Sequence, residues 1–262
     1  MRKQLIPTST PFEALFFPTL LLVVMWLFYW AEHLFMYPFH ELGVLPRTFS
    51  GLKGVFFMPL VHSPREIEHI INNSIPTFVL TSTLIYFYKP IAFRVFVLLW
   101  LMTGAFLWAY DDDHVYHIGI SGIIYGLASF LFTSGVLRRY LPLQAISLFV
   151  VFVYGSMVWG IFPMEQRVSW EGHLMGFFSG IILAFLYRYK GPQRPKYQYE
   201  IEKEMGIEPP DLEGEWRERI LQAEREEEAR REQASRIHIV YHYLPSENQI
   251  SLENKPGDDK TN

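Results

Sequence analysis

The sequence predicts an all-α, multi-pass membrane protein with six transmembrane helices, a long interfacial first loop and a charged soluble C-terminal tail. Three observations predict it. Half of the residues are hydrophobic and 17% are aromatic, and mean hydropathy is positive at +0.11 even with the polar tail included. Six apolar runs each approach the roughly 20 residues that cross a bilayer core. Lys and Arg cluster before the first run and after the second, fourth and sixth, the pattern of ends that share the cytoplasmic side. A net charge of -4 offers nothing to a nucleic acid, and the absence of cysteine excludes disulfides, thiolate metal sites and a cysteine nucleophile. No internal repeat of fixed period is present.

Residues 1–11 form a short polar lead carrying Arg2 and Lys3, expected in the cytoplasm. Residues 12–30 are apolar almost throughout. A cleaved signal peptide is the competing reading, but the run is too long and closes on Trp26, Tyr29 and Trp30 instead of small residues. Aromatic residues there suit a membrane interface. Residues 31–65 mix His33, His40, Glu32, Glu41, Arg47 and Lys53 with patches such as Val55-Phe56-Phe57. That mixture predicts a long loop lying partly in the interface, which needs protein or water to satisfy its backbone. Connections of such length are more often functional than idle.

The second span, residues 66–88, carries His69 and Asn73 near its start. Spaced i, i+4, they share one helix face. Polar side chains at that depth face the bundle or a water-filled cavity. They serve either as an interhelical structural pair or as two neutral donors to a developing oxyanion. The third span, 91–110, ends in Trp108 and Tyr110 and leads into the acidic Asp111–Asp113. Residues 121–137, 141–162 and 170–189 complete the set. On this topology both termini are cytoplasmic, and the Ser121, His69 and His173 ends of three spans face the outside together.

Ser121 opens the fourth span between Gly119 and Gly122. There the free N–H groups and positive end of a helix favour a nucleophile and its oxyanion, although small residues around a serine also serve helix packing. In the sixth span His173 stands above Gly176 and Gly180 on one face. Gly122 and Gly126 form a matching face, and contact between the two seams would bring His173, as base, to Ser121.

These residues together resemble the rhomboid intramembrane serine proteases: Gly119-x-Ser121-Gly122 with Tyr125, His173-x-x-Gly176-x-x-x-Gly180, and His69-x-x-x-Asn73. The resemblance covers residues 12–189 and implies a six-helix rhomboid-like domain over 12–190. It implies a Ser–His dyad with no carboxylate, metal or cofactor. Ser121 would be nucleophile and His173 general base, with Tyr125 packed on the His173 ring. The Ser121 N–H with the His69 and Asn73 side chains would form the oxyanion hole, and Gly119, Gly122, Gly126, Gly176 and Gly180 would pack the helices. The implied partners are transmembrane protein substrates and membrane lipid, and the implied setting is a bacterial cell membrane. The first loop departs from the pattern in having no Trp-Arg pair, and His62 lies further upstream of His69 than the family's usual histidine.

Two other functions stay open on the sequence. One is a rhomboid-like protein that binds membrane clients without cutting them, although such proteins typically lack the serine or histidine. The other is a small transporter, which predicts more intramembrane charge and internal symmetry. His114 and His117 beside Asp111–Asp113 also admit a metal site, for which no further ligand is identifiable. Beyond Lys190, residues 191–210 read as a proline-containing linker. Residues 212–237 read as a solvated helix of i, i+4 charge pairs, 237–244 as a weakly alternating strand and 247–262 as disordered. The tail's partner is not legible.

Overall fold

The computed structural model describes residues 9–112, 114–164, 169–207, 210–236 and 240–242. Arg2, Lys3, Asp113, residues 165–168 of the polar turn, 247–262 and all of the expected 237–244 strand except 240–242 lie outside them. The chain divides into two compact units, Met1–Pro195 and Lys196–Asn262.

The first unit is helical, with one isolated antiparallel bridge between Val44 and His117 among the described residues. Helix α1 (Pro11–Phe35) starts at a Thr10 capping box with Glu13. It runs past the expected end at Trp30 because Ala31-Glu32-His33-Leu34 contains no breaker; the chain turns at Met36, just ahead of Pro38. His33, expected in the loop, therefore belongs to α1.

The first loop is not extended. It is a string of short helical turns: 3-10 segments at Phe39–Leu42, Ser50–Lys53 and Met58–Leu60, with the four-residue α2 (Gly54–Phe57) among them. Its backbone is satisfied by these turns and by α4 (Ala92–Tyr110). Trp100 Nε1 donates to the Phe56 carbonyl at 3.1 Å and Trp108 Nε1 to the Thr48 carbonyl at 2.8 Å. The Arg47 guanidinium donates to the Tyr110 carbonyl at 2.9 Å. A loop without a Trp-Arg pair is thus fastened by its own arginine and by tryptophans of the neighbouring helix.

The other long helices are α3 (Ile67–Phe87), α5 (Ser121–Arg138), α6 (Leu141–Tyr154, continued as a 3-10 turn over Gly155–Ile161) and α7 (Trp170–Leu186). Among the described residues five helices are long and apolar enough to cross a membrane, counting α6 with its 3-10 extension, and the shorter α7 is a sixth apolar helix. Large apolar side chains point outward along α1 (Phe16, Leu20, Leu27) and α6 (Leu148, Phe152), a surface suited to lipid and not to water.

Helix α5 is the axis of the bundle: 67% of its span is buried, against 39% or less for the other four long helices. Small residues allow this. A Cβ on Gly176 would collide with the Gly122 carbonyl, and one on Gly180 with the Gly126 carbonyl and Ser129 Oγ. The backbones of α5 and α7 therefore touch along the expected seam. At the opposite end from Ser121, the buried Arg138 donates to the carbonyls of Tyr187, Arg188, Lys190 and Pro192, capping the end of α7.

In the second unit, α8 (Gln198–Glu204) breaks the stretch expected to be linker, and α9 (Leu212–Ser235) is the expected solvated helix. Asp211 caps α9, and Arg217–Glu213 and Arg231–Glu227 form its i, i+4 pairs.

Candidate active site

The N-terminal ends of α3, α5 and α7 meet at one end of the bundle, and the predicted residues meet there. Ser121 is the first residue of α5, with Ile120 as a cap that offers no side-chain acceptor. Its N–H belongs to the orphan donors of a helix start. His173 lies in the first turn of α7 and is buried. Its Nε2 stands 2.9 Å from Ser121 Oγ, and its Nδ1 stands 2.9 Å from the Gly160 carbonyl oxygen.

That second contact defines the ring. A carbonyl can only accept, so Nδ1 carries the proton and Nε2 presents its lone pair to the Ser121 O–H. The backbone carbonyl at the end of the 3-10 turn occupies the position that a carboxylate takes beside the histidine of a three-residue site. Sequence reading did not find Gly160; a carbonyl contributed by an irregular turn leaves no side-chain signature. Its neighbourhood also requires glycine, since a Cβ there would collide with the Tyr125 hydroxyl. The Tyr125 ring lies flat on the His173 ring, centroids 4.1 Å apart and planes at 11°. One face and two edges of the imidazole are thereby immobilised by packing and hydrogen bonding.

The expected oxyanion donors lie on the other side of Ser121. Asn73 is buried, and its Nδ2 is 3.1 Å from His62 Nε2. An amide donates from Nδ2, so one N–H goes to His62 and the second remains for another acceptor. The His69 ring packs at 5.1 Å from that of His62. His62 is fully buried, and burial, followed by the neighbouring His69, pushes it down to about 3, so it is neutral. His62 thus joins the site despite its sequence distance from His69. Residues 63–65 are taken up in a turn before α3.

Gly122, Gly126, Gly176 and Gly180 lie in the α5–α7 seam as expected. Gly119 does not. It precedes α5 with φ +102, and a Cβ there would stand 3.1 Å from the His69 ring and 3.7 Å from Asn73 Nδ2. Its N–H is held by the Met58 carbonyl at 2.9 Å. Gly119 is a turn residue whose missing side chain leaves room for the His69 ring and the Asn73 amide. Among the described residues no cluster of three or more His, Asp or Glu side chains could hold a metal ion.

A family model described as Rhomboid domain matches residues 50–190, which include every residue named above in the site. An uncharacterized protein of Mycobacterium tuberculosis is 32% identical over 152 residues, covering 55% of this chain and 62% of the relative. An uncharacterized protein of Mycobacterium bovis matches with the same figures. One of Mycobacterium leprae is 30% identical over 169 residues, covering 62% of this chain and 64% of the relative. The chain spans less than two thirds of each relative's length.

Proposed function

The chain belongs to the rhomboid family, and from that premise we propose that it is an intramembrane serine endopeptidase cutting transmembrane substrates near the outer membrane face. The observation that carries the reading is the 2.9 Å contact between His173 Nε2 and Ser121 Oγ, with the ring proton held on Nδ1 by the Gly160 carbonyl. A base in that tautomer and at that distance is ready to accept the serine proton.

In the reaction, Ser121 Oγ attacks the scissile carbonyl carbon while its proton passes to His173 Nε2. The oxyanion that forms accepts hydrogen bonds from the Ser121 N–H, the second Asn73 N–H and the His69 ring. Collapse breaks the C–N bond, and His173 returns the proton to the leaving amine. Water then attacks the Ser121 ester with His173 again as base, releasing the carboxylate and restoring the enzyme. Tyr125 and Gly160 hold the imidazole in place throughout.

Orientation follows from charge. Lys89, Arg138, Arg139, Arg188 and Lys190 lie at the ends of α3, α5 and α7 away from the site, and by the positive-inside rule this supports the reading that both termini are cytoplasmic and the site faces the outside. A bacterial cell membrane is the setting we infer; the relatives above are mycobacterial.

The test is cleavage of a reporter transmembrane segment by the purified chain, with fluorophosphonate labelling located by mass spectrometry. Wild type should cut and label on Ser121, and Ser121→Ala and His173→Ala should each lose at least about a thousandfold in rate. A wild type that binds reporters yet neither cuts nor labels would favour a non-proteolytic client-binding role instead.

A further inference from the structure

Besides the dyad, a second line of polar side chains crosses the same helix ends. Asp111 and His117 are buried in the segment between α4 and α5, and Ser169 caps α7. His117 Nε2 lies 2.6 Å from Asp111 Oδ2, and its Nδ1 lies 2.8 Å from Ser169 Oγ. Asp111 Oδ1 accepts from the Asp112 N–H at 2.7 Å, and Ser169 Oγ accepts from the Gly172 N–H at 3.2 Å. The His117 ring thus stands between the Asp111 carboxylate and the Ser169 hydroxyl, with one ring nitrogen against each. The His117 backbone exchanges hydrogen bonds with Val44 at 2.9 and 2.8 Å, tying the line to the first loop.

Placement gives this line its meaning. His117 stands four residues before Ser121, and Ser169 stands four residues before His173. One hydrogen bond thus joins the segments that deliver nucleophile and base, just before each enters its helix. The glycine seam fixes how closely α5 and α7 approach, but a smooth small-residue stripe does little to stop one helix sliding along the other. A directional contact between the two N-terminal ends stops it.

We propose that Asp111, His117 and Ser169 are positioning residues that set the register of α5 against α7, keeping Ser121 Oγ in reach of His173 Nε2. The proposal rests on the protease reading above. No side chain of the three bonds to Ser121 or to the His173 ring, so their effect is on kcat and not on the chemistry of substrate binding.

The test uses the full chain in proteoliposomes, measuring kcat, KM, the fluorophosphonate labelling rate and the labelled residue. The proteins are wild type, Asp111→Asn, Ser169→Ala, their double variant and Ser169→Thr. Asp111→Asn leaves the α7 cap intact, so it separates the line from the cap. The expected result is a fall in kcat and labelling of about 10-fold for each single variant, with KM within about twofold, because a misplacement of 1 Å costs up to about 100-fold. The double variant should equal the worse single, since both break one line. Ser169→Thr, which keeps hydroxyl and cap, should return to within about threefold of wild type.

Unchanged kcat in the variants, with only a lower melting temperature, would overturn the proposal by making the line structural. Losses that multiply in the double variant would overturn it too, and so would a label on Ser169, which would make Ser169 itself a nucleophile. Wild type that neither cuts nor labels is a different failure. It removes the protease reading, and the positioning role falls with it.

Discussion

Replacing Gly176 by alanine adds one methyl carbon at the tightest point of the bundle. That carbon would be built against the Gly122 carbonyl oxygen, well inside any real contact. A carbon and a carbonyl oxygen approach comfortably no closer than about 3.3 Å, and the built position falls short by more than about 1 Å. The obstacle is backbone on both sides, so no rotamer relieves it and α7 must move off α5. His173 lies one turn above Gly176 and Ser121 immediately precedes Gly122, so the same movement stretches the 2.9 Å dyad contact past hydrogen-bond range. Overpacking of this kind costs about 1–3 kcal/mol of stability, and a 1 Å misplacement costs up to about 100-fold in rate. Gly155→Ala is the control. A Cβ there meets only Val151 Cγ1 at 3.9 Å, and its φ of -61 suits alanine. The assay is the labelling rate at Ser121 together with thermal melting in one detergent. Gly155→Ala should match wild type, whereas Gly176→Ala should melt lower and label roughly 100-fold more slowly. A Gly176→Ala protein that labels and melts as wild type would refute the claim that backbone contact along this seam sets the dyad distance.

Other consequences follow from single residues. Gly119→Ala must hold a left-handed φ of +102 and push on the His69 ring, so it should lose about 1–3 kcal/mol and also cleavage, measured as kcat alongside melting. Arg138→Met leaves the carbonyls of Tyr187, Arg188, Lys190 and Pro192 without their donor. It should destabilise by about 3 kcal/mol in denaturant titrations while leaving the labelling rate of folded protein near wild type. His62 is held neutral in the fold, down to about 3, against an ordinary value of 6.5. Between those pH values the unfolded chain binds the extra proton, so stability is full above 6.5 and falls as pH drops toward 3, by up to about 1.4 kcal/mol per unit. Melting temperatures of wild type and His62→Gln across that window should converge at low pH, and parallel curves would contradict the assignment.

How much of this was legible in the sequence depends on which groups carry the contact. Ser121, His173, His69 and Asn73 announce themselves because each is a polar side chain at a membrane depth where polarity is costly, and helical periodicity tells which share a face. The glycine seam is legible for the same reason, since spacing alone aligns Gly122 with Gly126 and Gly176 with Gly180. Gly119 stands beside them in the sequence and in the same motif. Its different role depends on a φ that a one-letter code does not carry. Gly160 was invisible because its backbone acts, and any residue supplies a carbonyl; only the end of a 3-10 turn decides where that carbonyl points. The same distinction explains the first loop. Its composition showed an interfacial segment, but its fastening to Trp100 and Trp108 runs through the carbonyls of Phe56 and Thr48. Where side chains set the geometry the sequence can be read directly. Where backbone oxygens do, as at the Nδ1 of His173, the fold must be in hand.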